Sequence, residues 1–206
     1  VFSFHPVKII TTMEGGMALT NNSEWAEKMR MLRSHGITND PEKMTEDSHG
    51  PWYYQQIALG FNYRMTDVEA ALGLSQLKKL PGFLEKRNAL AKYYDNLLSV
   101  FSCIKPLQQR GDSYSSYHLY VARVESLTNK QHSDLIKNLR EQGVFAHLHY
   151  IPIHIQPYYK KLGFKMGDFP NAETYYRQAI TLPLFPELTL EDVEFIVEKL
   201  TAEING

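Results

Sequence analysis

The sequence predicts an α/β fold, and three patterns support this assignment. Predicted strands alternate with amphipathic helices through the second half of the chain. Two long helices rich in Leu and Ala precede them, and the first opens with the capping box Thr66-Asp67-Val68-Glu69. A β-branched run over residues 9–12 lies near the start of the chain. Such alternation is typical of a sheet covered by helices.

The first 80 residues predict short extended runs followed by helices. Residues 9–12 favour extended backbone, and Gly15-Gly16 permits a turn into a second extended run over residues 17–20. Asn22 and Ser23 suit an N-cap, and apolar residues then recur at helical spacing, which predicts a helix over residues 24–34. The polar stretch over residues 37–50 predicts a loop before the capped helix that begins at Thr66.

The second half predicts one long helix and then shorter alternating elements. The long helix covers residues 83–99 after the break at Pro81-Gly82. The remaining predictions, in chain order, are a loop over 104–113, a strand over 117–124, a helix over 130–142, a strand over 144–150, short helices over 157–162 and 172–178, an extended segment over 180–184, and a final helix capped by Thr189.

The overall composition excludes several classes of partner. The chain of 206 residues has 22 Lys and Arg against 23 Asp and Glu, so no general positive field favours nucleic acid or an anionic membrane. The single cysteine, Cys103, excludes an internal disulfide and fits a reducing compartment. No apolar run approaches the roughly 20 residues that span a bilayer, and no signal peptide is visible. We therefore expect a cytoplasmic protein with no nucleic-acid and no membrane partner.

Lys8 is the first candidate catalytic residue. It follows Pro6, whose fixed φ biases His5 towards extended backbone, and it precedes the β-branched run. Partial burial of a lysine favours the neutral amine, which is the nucleophilic form that imine formation requires. From the spacing alone, a solvated lysine near a strand end is the alternative.

The residues around Lys8 resemble a known family signature. Ser3-Phe4-His5-Pro6-Val7-Lys8 with Thr11-Thr12-x-Glu14-Gly15-Gly16 is similar to the signature of the nucleotide-sugar aminotransferases that use pyridoxal phosphate (PLP), the DegT/DnrJ/EryC1/StrS type. The segment over residues 60–77 resembles the same family along its full length. The resemblance covers nearly all of the chain, and segments over 149–159 and 181–186 are most similar to the pseudaminic acid branch of the family.

This resemblance implies the C-terminal half of a fold-type I PLP enzyme, similar to aspartate aminotransferase. Residues 1–80 would be the C-terminal remnant of the large PLP-binding domain, and residues 81–206 would be a connecting helix and a small α/β sandwich domain. The family also implies a homodimer with shared active sites. We expect this chain alone to bind PLP poorly and to be inactive.

The same resemblance assigns three residues to the cofactor. Lys8 would hold PLP as an imine and would be the catalytic acid–base. Ser3 would bind the cofactor phosphate, and Asn62 of the Asn-Tyr-Arg-Met motif would reach the PLP phosphate of the partner subunit. Without the resemblance, an Asn at position 62 is usually a turn residue or a local cap, and Ser3 is simply a residue of a pleated strand.

Three further residues are assigned to the substrate. Arg64 would meet the substrate diphosphate or the cofactor, although a surface arginine is the alternative. His149 and Tyr150 would contact the nucleotide sugar. The implied reaction transfers an amino group from glutamate to C4 of a UDP-linked 4-keto-6-deoxy-N-acetylhexose.

Other interpretations of these patterns remain open. His147 and His149 have the i, i+2 spacing that places two metal ligands on one strand face, but no helical His pair and no nearby Cys accompany them, so we expect no metal. The aromatic residues over 51–56 suit packing under a loop as well as a ligand or dimer contact.

Three other functions stand beside the aminotransferase. A sister aminotransferase that uses another nucleotide-4-ketosugar would keep every motif. A fragment with only an interaction role would fit a chain without the cofactor half. A sugar 3-dehydratase is disfavoured because the related dehydratases have His where this chain has Lys8.

Overall fold

The structure is a computed structural model that describes residues 1–125 and 127–205. It divides into two compact units, Val1–Leu80 and a second unit that begins at Pro81. None of the helices within these ranges is long and apolar enough to cross a membrane. The elements of the first unit, in chain order, are β1 (Phe2–Ser3), β2 (Gly16–Met17), α1 (Ser23–Leu32), β3 (Ile37–Thr38), β4 (Gln55–Gln56) and α2 (Asp67–Leu77).

Side-chain caps begin both helices of the first unit. The Asn22 side chain accepts a hydrogen bond from the Trp25 amide at 3.0 Å, which starts α1. Thr66 and Glu69 form a reciprocal capping box at the start of α2. The sequence predictions of these two helices are therefore confirmed.

The predicted strand over residues 9–12 is wrong. The ladder instead pairs β1 with β2 in antiparallel fashion, with Phe2 opposite Met17 and Ser3 opposite Gly16. Residues 9–12 belong to the loop between these strands, because their polar groups bond back to Phe4 rather than to a neighbouring strand. The second ladder of this unit pairs β3 with β4, a short strand pair at the edge of the predicted polar loop.

The second unit has a three-stranded antiparallel sheet in the order β5-β6-β7. Its helices and strands, in chain order, are α3 (Leu80–Leu98), β5 (Ile104–Pro106), β6 (Tyr120–Val124), α4 (Asn129–Glu141), α5 (Pro157–Lys160), α6 (Pro170–Gln178), β7 (Ala179–Leu182) and α7 (Leu190–Asn205). The predicted helices and the extended segment after α6 are confirmed within a few residues at their ends.

The hydrophobic core lies in the second unit. Every buried apolar side chain in the described ranges lies at Leu90 or beyond. Helices α3, α4 and α7 contribute one face each, at the apolar spacing that the sequence showed. The largest fully buried side chains of this core are Tyr94, Leu98, Leu139, Ile180, Leu182 and Leu200.

Arg87 is a buried cation that ties α3 to two loops. Its guanidinium donates hydrogen bonds to the backbone carbonyls of Tyr117 at 3.0 Å and Leu184 at 2.9 Å, and a longer one to that of His118 at 3.4 Å. The side chain is only 6% exposed, and this burial lowers the pKa of Arg87 against the opposing effect of the Glu187 carboxylate. The segments before β6 and after β7 are thereby held to one helix.

Two further predictions in the second unit are wrong. Residues 144–150 form no strand; only His147 pairs with Thr181 as an isolated bridge, because neighbouring backbone groups bond to side chains instead. Residues 104–106 form β5 within the predicted loop, and the partner of Ile104 is Val124, too distant in sequence for a local pattern to show.

Replacement of Arg87 by Met tests the role of the buried cation. Arg87→Met keeps an apolar stem but leaves three carbonyls without their donor, so we expect a loss of about 3 kcal/mol in the free energy of unfolding in urea. The adjacent exposed lysine provides the control, since Lys86→Met should change stability by less than about 0.5 kcal/mol. Equal stability of the two variants would show that Arg87 does not hold these loops.

Candidate active site

Lys8 lies on the loop over residues 4–15 that connects β1 to β2, called the Lys8 loop below. Hydrogen bonds of the Phe4 backbone close this loop. The Phe4 carbonyl accepts hydrogen bonds from the Thr12 amide at 3.0 Å and from the Thr11 hydroxyl at 2.9 Å. The Phe4 amide donates to the Gly15 carbonyl at 2.9 Å. The backbone of Phe4 thus joins both ends of the loop that carries Lys8.

The Lys8 side chain is half-buried on this loop. Its amide donates to the His5 carbonyl at 2.9 Å, which forms a turn at Pro6. Within the part of the chain that the structure describes, the Lys8 amine has no hydrogen bond and no ion pair. An amine that is not engaged with a carboxylate stays available for covalent chemistry.

The far end of the Lys8 loop packs against the segment that leads into α2. Thr12 is 2% exposed. A methyl group placed on Gly73 would lie 2.7 Å from Cγ2 of Thr12, and one placed on Gly15 would lie 2.9 Å from Cε of Met65. The contact at Gly73 leaves no room for a larger residue unless Thr12 moves, and both contacts bring the Lys8 loop beside residues 65–73. Sequence reasoning assigned no role to Thr12 beyond its place in the motif, because its contact with Gly73 joins residues far apart in the sequence.

Asn62 and Arg64 form a pair in that neighbouring segment. The Arg64 guanidinium donates to Oδ1 of Asn62 at 3.1 Å, and both side chains are exposed. The backbone of the segment is fixed to the end of α1, because Asn62 bridges to Ser34 and the Tyr63 amide donates to the Arg33 carbonyl at 2.9 Å. The amide nitrogen of Asn62 and the other nitrogens of Arg64 face outward as hydrogen-bond donors.

Ser3 lies on β1, opposite Gly16. Its hydroxyl accepts a weak hydrogen bond from the His5 amide at 3.4 Å, so its own proton remains free to be donated. The first unit therefore holds four of the predicted site residues, Lys8, Ser3, Asn62 and Arg64, on two segments that pack together. No hydrogen bond within the described residues joins Lys8 or Ser3 to the Asn62–Arg64 pair.

His149 and Tyr150 lie in the second unit, beside β7. Nδ1 of His149 is 2.9 Å from the Thr181 hydroxyl, and the Tyr175 hydroxyl donates to the His149 carbonyl at 3.1 Å. The Tyr150 ring packs edge-on against the imidazole, with 4.6 Å between centroids. Sequence reasoning missed Thr181 and Tyr175 as partners of His149, since nothing local in the sequence links them.

Two neighbouring features disfavour the charged form of the His149 imidazole. Partial burial lowers the pKa of His149, and the neighbouring His147, whose ring stacks on it at 4.7 Å, lowers this pKa further. His154, five residues after His149, is paired with the buried carboxylate of Glu173 at 2.9 Å. Among residues 1–125 and 127–205, no three His, Cys, Asp or Glu side chains are grouped as a metal site.

The model of one known protein family matches almost the whole chain. Residues 1–201 match the model of the DegT/DnrJ/EryC1/StrS aminotransferase family. The chain is 35% identical over its whole length to the spore coat polysaccharide biosynthesis protein SpsC of Bacillus subtilis, of which it covers 53%. It is 36% identical, over 97% of its length, to half of the UDP-4-amino-4,6-dideoxy-N-acetyl-beta-L-altrosamine transaminase of Campylobacter jejuni.

Solved structures give the same result. The structure matches that of Spr1654 from Streptococcus pneumoniae, described as a sugar aminotransferase in its PMP form, with a TM-score of 0.88 and 32% identity. The match covers 99% of this chain and 52% of Spr1654. The PLP form of the same protein matches with a TM-score of 0.86. The chain thus spans about half the length of the relatives that it matches.

Gly73 provides a test of the packing that positions the Lys8 loop. In Gly73→Ala the new methyl group would meet Cγ2 of Thr12 at 2.7 Å, so we expect the loop to shift. The Thr12 amide, which bonds to Phe4, should then exchange with solvent about tenfold faster, as measured by hydrogen exchange.

The matched control is Gly82→Ala in α3. A methyl group at Gly82 meets nothing within 4 Å, so this variant makes the same change in a helix without the contact. An unchanged exchange rate of the Thr12 amide in Gly73→Ala would contradict the proposed packing.

Proposed function

Since the chain belongs to the DegT/DnrJ/EryC1/StrS aminotransferase family, we propose that it forms the C-terminal half of a PLP-dependent sugar aminotransferase, with Lys8 as its catalytic residue. The observation that carries this proposal is the half-buried, unpaired amine of Lys8 on a loop closed by the Phe4 backbone. A reactive lysine needs an amine that is free of a carboxylate partner and held in a fixed place.

The donor groups of the first unit fit a phosphorylated aldehyde such as PLP. The Lys8 amine would hold the cofactor at its aldehyde carbon. The Ser3 hydroxyl would donate a hydrogen bond to the phosphate of this cofactor, and the Asn62 amide would donate one to the phosphate of the cofactor in the partner subunit. Both groups have protons that the described residues do not use. When bound, PLP supplies the electron-accepting ring on which amino-group transfer depends.

Lys8 would also move a proton during amino-group transfer. Its freed amine would then take the proton from Cα of the donor and return a proton later in the reaction (general acid–base catalysis). Glutamate is the amino donor that we propose. The same residue thus binds the cofactor first and moves a proton afterwards.

The sugar nucleotide is assigned to three other residues. Arg64 carries a planar guanidinium, only part of which is engaged with Asn62, so it would bind phosphate oxygens of the substrate. His149 and Tyr150 would contact the sugar, because both rings are accessible beside β7. These roles belong to the full-length protein, in which we propose that two subunits share the active sites.

The identity of the sugar substrate is a separate proposal. We propose a UDP-linked 4-keto-6-deoxy-N-acetylhexose, in the pathway to pseudaminic acid, on the likeness to the Campylobacter jejuni transaminase. A sister aminotransferase with another nucleotide-4-ketosugar is the second candidate, because the likeness to SpsC, a polysaccharide biosynthesis protein, is equally high. Turnover of purified candidate sugars separates the two.

Replacement of Lys8 by Ala tests the assigned catalytic role. The full-length protein should show the visible absorbance of lysine-bound PLP, and Lys8→Ala should abolish this band and lower kcat roughly a thousandfold. Lys28→Ala, which changes an exposed lysine of α1, should leave both unchanged. A full-length protein with no such band, or a Lys8→Ala variant that retains it, would overturn the enzyme assignment and favour an interaction role.

The chain alone should behave differently from the full-length protein. The described part of Val1–Leu80 contains no buried apolar side chain, and α2 exposes Val68, Leu74 and Leu77 by half or more. We expect the 206-residue chain to bind PLP poorly and to be inactive, since the chain covers only about half of its relatives. Absorbance after dialysis measures this, and an active, PLP-saturated preparation of the chain would contradict it.

A further inference from the structure

We propose that Thr181 is a positioning residue that holds His149 as an uncharged hydrogen-bond donor, with its proton on Nε2, for a carbonyl or hydroxyl oxygen of the sugar. This inference rests on the proposed function for the identity of the acceptor, but the state of His149 itself follows from contacts within the second unit. The Thr181 hydroxyl contacts Nδ1 of His149 and would act on the sugar only through this imidazole.

The backbone fixes Thr181 relative to the His149 segment. Thr181 lies in β7, the edge strand of the sheet, opposite Val121 of β6. Towards the open edge, its carbonyl accepts from the His147 amide at 3.0 Å, and its amide donates to the His147 carbonyl at 2.7 Å. This bridge is closed two residues before His149, so the imidazole arrives at the Thr181 hydroxyl in a defined place.

The hydrogen bonding of the Thr181 hydroxyl determines which imidazole nitrogen of His149 carries the proton. Thr181 is 5% exposed, so its hydroxyl proton needs an acceptor within the protein. In the part of the chain that the structure describes, the only atom bonded to this hydroxyl is Nδ1 of His149, at 2.9 Å. The hydroxyl therefore donates to Nδ1, and a neutral imidazole must then carry its single proton on Nε2.

The surroundings keep the ring uncharged and in place. Partial burial and the stacked His147 ring both disfavour the imidazolium form. The Tyr175 hydroxyl holds the His149 carbonyl at 3.1 Å, and the Tyr150 ring lies edge-on against the imidazole. Nε2 makes no hydrogen bond to any described residue, so it remains available to a ligand.

The class of acceptor follows from this protonation state. An uncharged N–H donor suits a neutral oxygen, such as a ketone or hydroxyl of a sugar ring. A phosphate would favour a cation such as Arg64. Thr181 thus contributes to sugar recognition by fixing the tautomer of the residue that makes the contact.

The test combines nuclear magnetic resonance with kinetics on the full-length protein labelled with ¹⁵N-histidine. The two-bond ¹H–¹⁵N correlations of His149, assigned by their loss in His149→Gln, should show the proton on Nε2 in the unmodified protein. Thr181→Val removes the hydroxyl but keeps the side-chain shape, and it should release His149 into a mixture of tautomers. Thr181→Ser, which keeps the hydroxyl, should restore the original spectrum.

The kinetic arm separates positioning from general damage. Thr181→Val should raise KM for the nucleotide sugar roughly fivefold, while KM for the amino donor and kcat change by less than about twofold. Thr201→Val in α7, whose hydroxyl donates within its own helix at 2.9 Å, should change none of these values. A merely structural role of Thr181 would alter kcat and both KM values together.

Specific results would overturn the inference. A proton on Nδ1 of His149, or a His149 spectrum unchanged by Thr181→Val, would show that Thr181 does not set the tautomer. An unchanged KM for the nucleotide sugar despite a released tautomer would show that the donor is not used. Absence of the visible PLP band in the same unmodified sample would instead overturn the proposed function, and the spectrum would still decide the state of His149.

Discussion

The backbone of Phe4 is the constraint on which the candidate active site depends. Its carbonyl accepts from both Thr11 and Thr12, and its amide donates to the Gly15 carbonyl, so one residue closes the loop that carries Lys8. A flexible loop would lose the positional precision that covalent and proton-transfer chemistry require. Packing of Thr12 against Gly73 then fixes this loop beside the segment with Asn62 and Arg64. The order of the site therefore comes from backbone bonds and two glycines rather than from a hydrophobic core.

The second unit holds its candidate residues in a different way. Its antiparallel sheet and the helices around it form a core, and Arg87 ties the loops beside β6 and β7 to α3. His149 is anchored to the edge of that sheet by the bridge at His147 and by the Thr181 hydroxyl. The unit with the hydrophobic core thus carries His149 and Tyr150, which are assigned to the sugar. The unit without buried apolar side chains carries the residues assigned to the cofactor, together with Arg64.

Local signals in the sequence predicted the helices, whereas contacts with residues outside the local pattern overturned the strand predictions over residues 9–12 and 144–150. Thr66 with Glu69 and Thr189 with Asp192 cap their helices through bonds within one turn, so residue types alone reveal where α2 and α7 begin. Residues 9–12 have strand propensity, but the bonds to Phe4 divert them into a loop. The Lys8 motif could be read directly, whereas the role of Thr181 depends on a contact across 32 residues of sequence.

Peptide mapping after borohydride reduction tests the central claim, that the Lys8 loop presents the amine that binds PLP. The full-length protein would be incubated with PLP, reduced with borohydride and digested, and the modified lysine would be identified by mass spectrometry. We predict that one lysine carries the reduced cofactor in high yield and that this lysine is Lys8. Modification spread over exposed lysines such as Lys28 and Lys86, with Lys8 unmodified, would contradict the account.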